Sequence, residues 1–315
     1  MTVPKVSVLV ATYNAGSYLR PSIESLLHQT YQNLEILVID DGSDDGSIDS
    51  IAGLPDERIR IIRQGHSGRS RALNRALKEM KGEFYATHDA DDLSDDHRIE
   101  RQVACLLANA ELGAVFCGNE LILEGRHVAP RFRLKDIAEC RRNIEKMRMP
   151  AHDTTAMYRV SMVRDLTYDE GLPFVEAYDY ILRAGERVPM MVIGECLYSY
   201  RVHFKSITHR DPRARMRFVR EVWRRTSERR GTKLPDGAAE QGETRRLTNR
   251  DRDNNLAGYF IESVLDQRRA RSRWGAIRSG WACSCLHPLE PHYHKAIVYA
   301  LVPMFLIRQL RRSRS

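Results

Sequence analysis

Three aspartates stand within the stretch Thr87-His88-Asp89-Ala90-Asp91-Asp92. Carboxylates this close repel one another, so all three ionise only where solvent or a cation shares their charge. Their oxygens suit a hard divalent ion such as Mn²⁺ or Mg²⁺. A solvated turn that caps the next helix accounts for them equally well on spacing alone, since Ser94 and Asp95 are good capping types. The preceding Gly82-Glu83-Phe84-Tyr85-Ala86 reads as a buried strand opening after a turn glycine.

The elements needed to position this cluster are legible upstream. Val3 to Val10 is a valine-rich run, as in a strand buried on both faces of a parallel sheet. It closes on the polar turn Ala11-Thr12-Tyr13-Asn14-Ala15-Gly16. Tyr18 to Gln29 carries Leu19, Ile23, Leu26 and Leu27 at helical spacing. Leu34 to Ile39 is a second strand, ending in Asp40-Asp41-Gly42-Ser43. A short helix over Ser47 to Ala52 and a strand over Ile59 to Ile62 follow. Gly65-His66-Ser67-Gly68 then opens a helix over Arg69 to Lys81. This βαβαβαβ order predicts a doubly wound α/β domain. Ligands of such sheets collect outside the carboxyl ends of the strands. Each polar cluster named here lies at such an end.

The chain has 315 residues, 42% of them hydrophobic, enough for a sizeable core. Its formal charge of +8 points to anionic partners, whether nucleotide, phospholipid headgroup or nucleic acid. Nucleic acid is disfavoured, because few aromatics interleave the basic regions and no reader motif is present. The six cysteines are scattered, with only a C-x-C at Cys283 and Cys285, which predicts reduced thiols in the cytoplasm and no zinc site. The run from Val6 to Ala11 is short for a secretory signal. Pro303 interrupts the longest late apolar stretch, Ala296 to Ile307, so no spanning helix is expected.

Four segments together carry a resemblance: Val6-Ser-Val-Leu-Val-Ala-Thr-Tyr-Asn14, Val38-Ile-Asp-Asp-Gly-Ser43, Ser70-Arg-Ala-Leu-Asn74 and Asp89-Ala-Asp-Asp92. They resemble a family 2 glycosyltransferase of the GT-A fold, a Rossmann-like, mostly parallel sheet flanked by helices. The likeness is tight over the first hundred residues, looser to about residue 208, and absent beyond. It implies a glycosyltransferase domain over 1–208, with 1–100 holding the nucleotide sugar and 101–208 the acceptor. Residues 209–315 would form a helical, basic C-terminal extension.

The resemblance implies an inverting, metal-dependent enzyme. It would move a sugar from a nucleotide sugar, a UDP-sugar, to an acceptor hydroxyl of a carbohydrate or lipid-linked saccharide, in polysaccharide or glycolipid synthesis. Asp91 would be the main metal ligand, with Asp89 on the ribose or the metal, Asp92 assisting and His203 within reach. Ala11, Thr12, Tyr13, Asn14, Asp41, Arg71, Asp89, Ala90, Asp91 and Arg201 would line the donor site. In that scheme Tyr13 stacks on the base, against a role as a rim tyrosine supporting the turn, and Asp41 accepts from the uracil ring nitrogen. Arg201 and His203 clamp the diphosphate or reach the metal, against a plain edge strand with a basic tip. Asp40 has a competing role as a loop brace, and Arg71 as an ordinary solvated helix arginine. His66 lies close by in sequence, but a polar loop histidine is more often neutral to function.

In the second half, His152 and Asp153 are acceptor-site candidates, with capping an equal alternative for Asp153. The family's Glu-Asp pair, counted back from Arg183, puts Ala177 where the general base belongs. Glu176 is the first candidate to replace it and Asp179 the second, because residues three apart share a helix face. Otherwise both cap the helix and pair with arginines, which leaves the base unassigned. With Ala177 in its place, the alternative is a non-catalytic nucleotide-binding relative. A nucleotidyltransferase would need a glycine-rich basic loop after the first strand, and an Asp-x-Asp phosphatase its acidic pair there. Arg213 to Arg230 and Leu256 to Arg269 read as helices around a polar linker, Gly231 to Glu243. His294 to Arg311 joins apolar residues to a basic end. It is expected either to lie peripherally on the cytoplasmic face of a membrane or to cap the catalytic domain.

Overall fold

A computed structural model of the chain describes residues 3–123, 125–202, 212–234, 249–286, 288, 291 and 293–303. The chain divides into two units, one of residues 1–119 with 133–243, the other of 120–132 with 244–315.

In the first unit the valine- and isoleucine-rich runs form parallel strands β1 (Val6–Thr12), β2 (Leu34–Asp40), β3 (Ile59–Arg63) and β4 (Phe84–Asp89), in spatial order β3-β2-β1-β4. Branched side chains at these positions favour the pleated conformation and pack against neighbours on both faces. The connecting helices are α1 (Leu19–Leu27), α2 (Asp49–Ala52) and α3 (Arg69–Glu79). Side chains alternate between two cores. Leu9, Leu37, Ile39 and Tyr85 join Ala72, Leu73 and Ala76 of α3 on one face. Val6, Val8, Val10, Ile36 and Val38 join Leu19, Ile23 and Leu26 of α1 on the other. Full burial of each such aliphatic side chain contributes about 1.5–3 kcal/mol.

The chain continues through β5 (Leu93–Ser94), α4 (Arg98–Ala108), β6 (Ala114–Leu123), β7 (Arg126–Arg131) and α5 (Ile137–Glu145). Then come β8 (Ala156–Arg159), α6 (Val160–Val163), α7 (Glu176–Arg187), β9 (Met190–Arg201) and α8 (Pro212–Arg230). Beyond β4 the sheet order runs β8-β6-β9-β5. β8 is antiparallel to both β4 and β6, and β5 to β9. The α/β fold is as expected, but the parallel strands β1–β4 are joined by antiparallel pairings of β8 and β5, so the sheet as a whole is mixed. A hydrophobic run reports burial, not strand direction.

α8 lies past residue 208 yet belongs to the first unit. Its Val219 and Val222 are buried with Cys140, Ile144 and Tyr180. Trp223 Nε1 donates to Tyr178 Oη at 2.7 Å, and Arg229 and Arg230 both pair with Glu186. The extension's first helix is therefore a cap on the sheet domain.

The second unit contains β6 from Glu120, β7, α9 (Asn249–Arg269), α10 (Arg273–Leu286) and α11 (Lys295–Leu301). Phe260, Val264, Leu265, Cys283, Tyr293 and Ala296 are buried there. Among the described residues no helix is long and apolar enough to cross a membrane.

Candidate active site

Parallel pairing aligns the strand ends. Ala11 of β1 pairs with Asp89 of β4, and Thr12 with Asp40 of β2. The polar turns after these strands therefore emerge side by side. One oxygen each from Asp89, Asp91 and Asp92 lies within 4.8 Å of the others.

Asp92 is fully buried. Its Oδ1 accepts from the Arg201 backbone N–H at 2.8 Å, and its Oδ2 has no hydrogen-bond partner among the described residues. Burial, and then the neighbouring Asp91 and Asp89 carboxylates, push Asp92 well above the usual carboxylate range. Loss of solvent also raises Asp89, with Arg69 opposing and Asp153 and Asp91 reinforcing the shift. A buried, orphaned carboxylate oxygen beside two more carboxylates is the donor set a hard divalent cation fits. Asp91, Asp89 and Asp92 would hold it. His203 lies outside the described residues.

The cluster is braced from behind. Arg98 is completely buried and donates to Thr87 O, Thr154 O, Ser94 Oγ and Gln102 Oε1. Its guanidinium lies 4.7 Å from the centre of the Tyr198 ring, and Tyr198 Oη accepts from the Asp89 N–H at 3.1 Å. His88 sits beneath, with Nε2 2.9 Å from Ser22 Oγ and Nδ1 3.2 Å from Ser94 Oγ. Burial, then the Arg98 charge, depress its pKa well below the ordinary imidazole value, so it is neutral.

Arg69 opens α3 and is a site residue that no sequence motif singles out. One guanidinium nitrogen pairs with Asp89 and the other with Glu176 Oε1 at 2.8 Å. Burial acts against its charge, but Asp89 and Glu176 outweigh it and hold the guanidinium protonated. Gly68, with φ +97°, supplies the left-handed turn that starts the helix there. Arg69 also lines a cavity of about 10 Å³ with Thr87, Asp153, Tyr168, Ala177 and Tyr180, room for roughly one water. Only the glycine before it in sequence hinted at a helix start facing the site.

The other candidates fall into distinct places. Tyr13 is half exposed and stacks on His66, ring centres 4.0 Å apart at 27°. Asp41 is buried and accepts from Gln64 Nε2, the Ser67 N–H and hydroxyl, and the Gly68 N–H at 2.7–3.0 Å. Burial raises its pKa, but these donors win and lower it. Asp41 thus ties down the 64–68 loop in addition to any contact with a base. Asp40 Oδ1 accepts from the Ser43 N–H, the bracing role expected as its alternative. Asn14, at φ +50°, exchanges two hydrogen bonds with Asp44 and pins one turn to the next. The Thr12 and Ala90 side chains are buried at the strand ends.

Arg71 is paired with a surface acid. Its Nε donates to Glu170 at 2.7 Å, both side chains about half exposed. Arg201 Nε donates to Asp91 O at 2.8 Å, with its guanidinium over the Tyr18 ring. His152 Nδ1 lies 2.9 Å from Thr154 Oγ1 and 3.3 Å from Asp153, and the His152 ring packs on Tyr200. Asp179 is held by Arg183 at 2.7 Å. Glu176 and Asp179 both lie in the first turn of α7, yet each faces its own arginine.

Residues 7–167 match the family model for glycosyl transferase family 2, half of the chain. The chain belongs to glycosyltransferase family 2. An uncharacterized glycosyltransferase of Haemophilus influenzae is 31% identical over 213 residues, covering 64% of this chain and 66% of the relative. One of Rickettsia typhi is 39% identical over 126 residues, 39% of each. The chain thus spans under two thirds of either curated relative. Its fold resembles residues 1–349 of Staphylococcus aureus TarS, solved with UDP-GlcNAc (TM-score 0.59, 17% identity, 94% of this chain and 89% of that one). It also resembles the mannosyltransferase PcManGT of Pyrobaculum calidifontis, solved with GDP-Man and Mn²⁺ (TM-score 0.57, 16% identity, 95% and 85%).

Proposed function

We propose that this family 2 member is an inverting, metal-dependent glycosyltransferase that passes a sugar from a UDP-sugar to a hydroxyl of a carbohydrate or lipid-linked saccharide. The observation that carries the reading is the three-carboxylate cluster, with an orphaned oxygen on Asp92, at strand ends aligned with the turn that bears Tyr13. Asp91, Asp89 and Asp92 would hold a divalent ion, which would supply Lewis-acid compensation for the charge of the departing diphosphate. Tyr13 offers a stacking face to the base, and Asp41 fixes the loop that borders it. Glu176 accepts the proton of the attacking hydroxyl, while His152 and Asp153 orient the acceptor. Attack from the side opposite the leaving group inverts the anomeric carbon.

The UDP and UDP-GlcNAc bound by TarS support uridine, while the GDP-Man of PcManGT keeps guanosine as the competing base. A thermal-shift screen of nucleotide sugars with and without Mn²⁺ tests the reading. It predicts that UDP-sugars stabilise the protein only with the cation. Asp91→Ala is expected to abolish cation-dependent UDP release, and undiminished release would refute the metal's role.

A second reading, a nucleotide-binding relative without transfer activity, is favoured by Ala177 at the expected base position and by the arginine partners of Glu176 and Asp179. It predicts the same cation-dependent stabilisation and no sugar transfer to any acceptor.

A further inference from the structure

In the second unit, α10 is turned inside out. Its buried residues are Ala276, Ser279, Gly280, Cys283 and Ser284. Its tryptophans face outward, Trp274 81% and Trp281 65% exposed. The buried face is small because α11 lies against it: a Cβ on Gly280 would sit 2.7 Å from the Ile297 Cα. Trp274 and Trp281 are seven residues apart, close to two helical turns, so they share one stripe with Arg278 between them. α11 also exposes Val298 and Leu301. A helix facing only water turns its large apolar side chains inward.

The charge along the stretch that carries the stripe is of one sign. No Asp or Glu occurs from Gln267 to Pro288, a stretch holding Arg268, Arg269, Arg271, Arg273 and Arg278. Arg271, Arg273 and Arg278 are exposed. Tryptophan is at home where hydrocarbon meets water, its ring apolar and its indole N–H wet. Arginine pairs with phosphate oxygens through its fork. A second copy of the chain is a poor occupant, since a two-fold contact would set these arginines against themselves.

We propose that α10 is an interfacial anchor that seats Trp274 and Trp281 in an anionic phospholipid surface, with Arg271, Arg273 and Arg278 on the headgroup phosphates. The helix lies on the surface and does not cross it. This is a different segment from residues 294–311, of which 304–311 lie outside the described residues. The proposal is independent of the transfer chemistry, so it stands or falls without an activity assay.

The test takes the full chain with vesicles of phosphatidylcholine, with or without phosphatidylglycerol. Sedimentation with the anionic vesicles alone is expected. Tryptophan emission should then shift to the blue and be quenched by brominated acyl chains, a readout that needs no variant. Trp274→Ser with Trp281→Ser should weaken partition at least roughly tenfold, through lost apolar burial. Arg271→Gln, Arg273→Gln and Arg278→Gln together should weaken it roughly a hundredfold. Failure to bind anionic vesicles, or binding without quenching, overturns the proposal. So does a dimer dissolved by the tryptophan pair, which would make the face a contact between copies. Binding to polyglutamate but not to vesicles would overturn it in favour of an acidic protein.

Discussion

Arg69 and Glu176, 107 residues apart in the chain, meet at 2.8 Å, and the same guanidinium holds Asp89. The candidate base and the first aspartate of the acidic cluster therefore share one counter-charge. Arg69→Met removes it and leaves two sheltered carboxylates uncompensated. Stability should fall by about 1–3 kcal/mol, less than for a fully buried pair because the Arg69 side chain is 28% exposed. Cation affinity should move the other way. With a positive neighbour gone, Mn²⁺ should bind about tenfold more tightly, measured by calorimetry, while transfer is lost. Arg69→Lys keeps the charge but cannot fork two carboxylates, so it should restore stability better than turnover.

Asp92 makes the cation-free protein sensitive to pH. Its carboxyl is raised well above the ordinary 3.8, so the folded protein binds the proton more tightly than the unfolded chain does. Stability from this group is full below the unfolded value and is lost as pH rises from there through the folded value. The melting temperature without metal should therefore decline over that window, and the stabilisation given by Mn²⁺ should grow with pH. Asp92→Asn should flatten both trends. A metal-induced shift that ignores pH would argue against Asp92 as a ligand.

Tyr13 and His66 already form a stack at 4.0 Å, too close to admit a base between them. A bound base must take the free face of Tyr13 or displace His66. Tyr13→Ala should weaken nucleotide binding by about 1–3 kcal/mol, the usual worth of base–aromatic stacking, and should raise KM far more than it lowers kcat. His66→Ala should leave KM unchanged in the first case and lower it in the second, so steady-state kinetics on the two variants distinguish them.

The parallel half of the fold was legible because its signals are local. Runs of Val and Ile, helical spacing and turn glycines each lie within a dozen residues, and all four expected strands formed. Asp40 as a brace and Asp89 at a strand end follow from the same local grammar. Arg69 was not legible, because its partners come from β4 and α7 and only the folded sheet brings them together. The antiparallel half escaped for a related reason, since pairing partners such as Leu93 and Ser199 are remote in sequence. Arg71 fits a phosphate contact by its place near the helix start, and in the ligand-free fold it is paired with Glu170, a partner remote in sequence. α10 gave no signal at all, because a stripe of small residues inside and tryptophan outside inverts the usual amphipathic pattern.

Helix spacing ranks Glu176 ahead of Asp179 without naming a partner for either, and their partners in the fold turn that ranking into an experiment. Both are buried acids in the first turn of α7. Among the described residues Asp179 pairs with Arg183 four residues on in its own helix, an arrangement that supports the helix. Glu176 instead meets Arg69 where that arginine also holds Asp89, which ties its carboxylate through one guanidinium to the acidic cluster and to the cavity that Arg69 and Ala177 line. A base must be within hydrogen-bond reach of the acceptor hydroxyl, and only Glu176 shares a partner with the donor side. Glu176→Gln, nearly isosteric, should lower kcat by roughly a hundredfold or more and leave nucleotide binding intact. Asp179→Asn should cost about 1 kcal/mol of stability with kcat within a few fold. If the two variants exchange these behaviours, Asp179 is the base. If neither moves kcat in a protein that does transfer sugar, the proton leaves by another route, and Asp153, also lining the cavity, is the next residue to test.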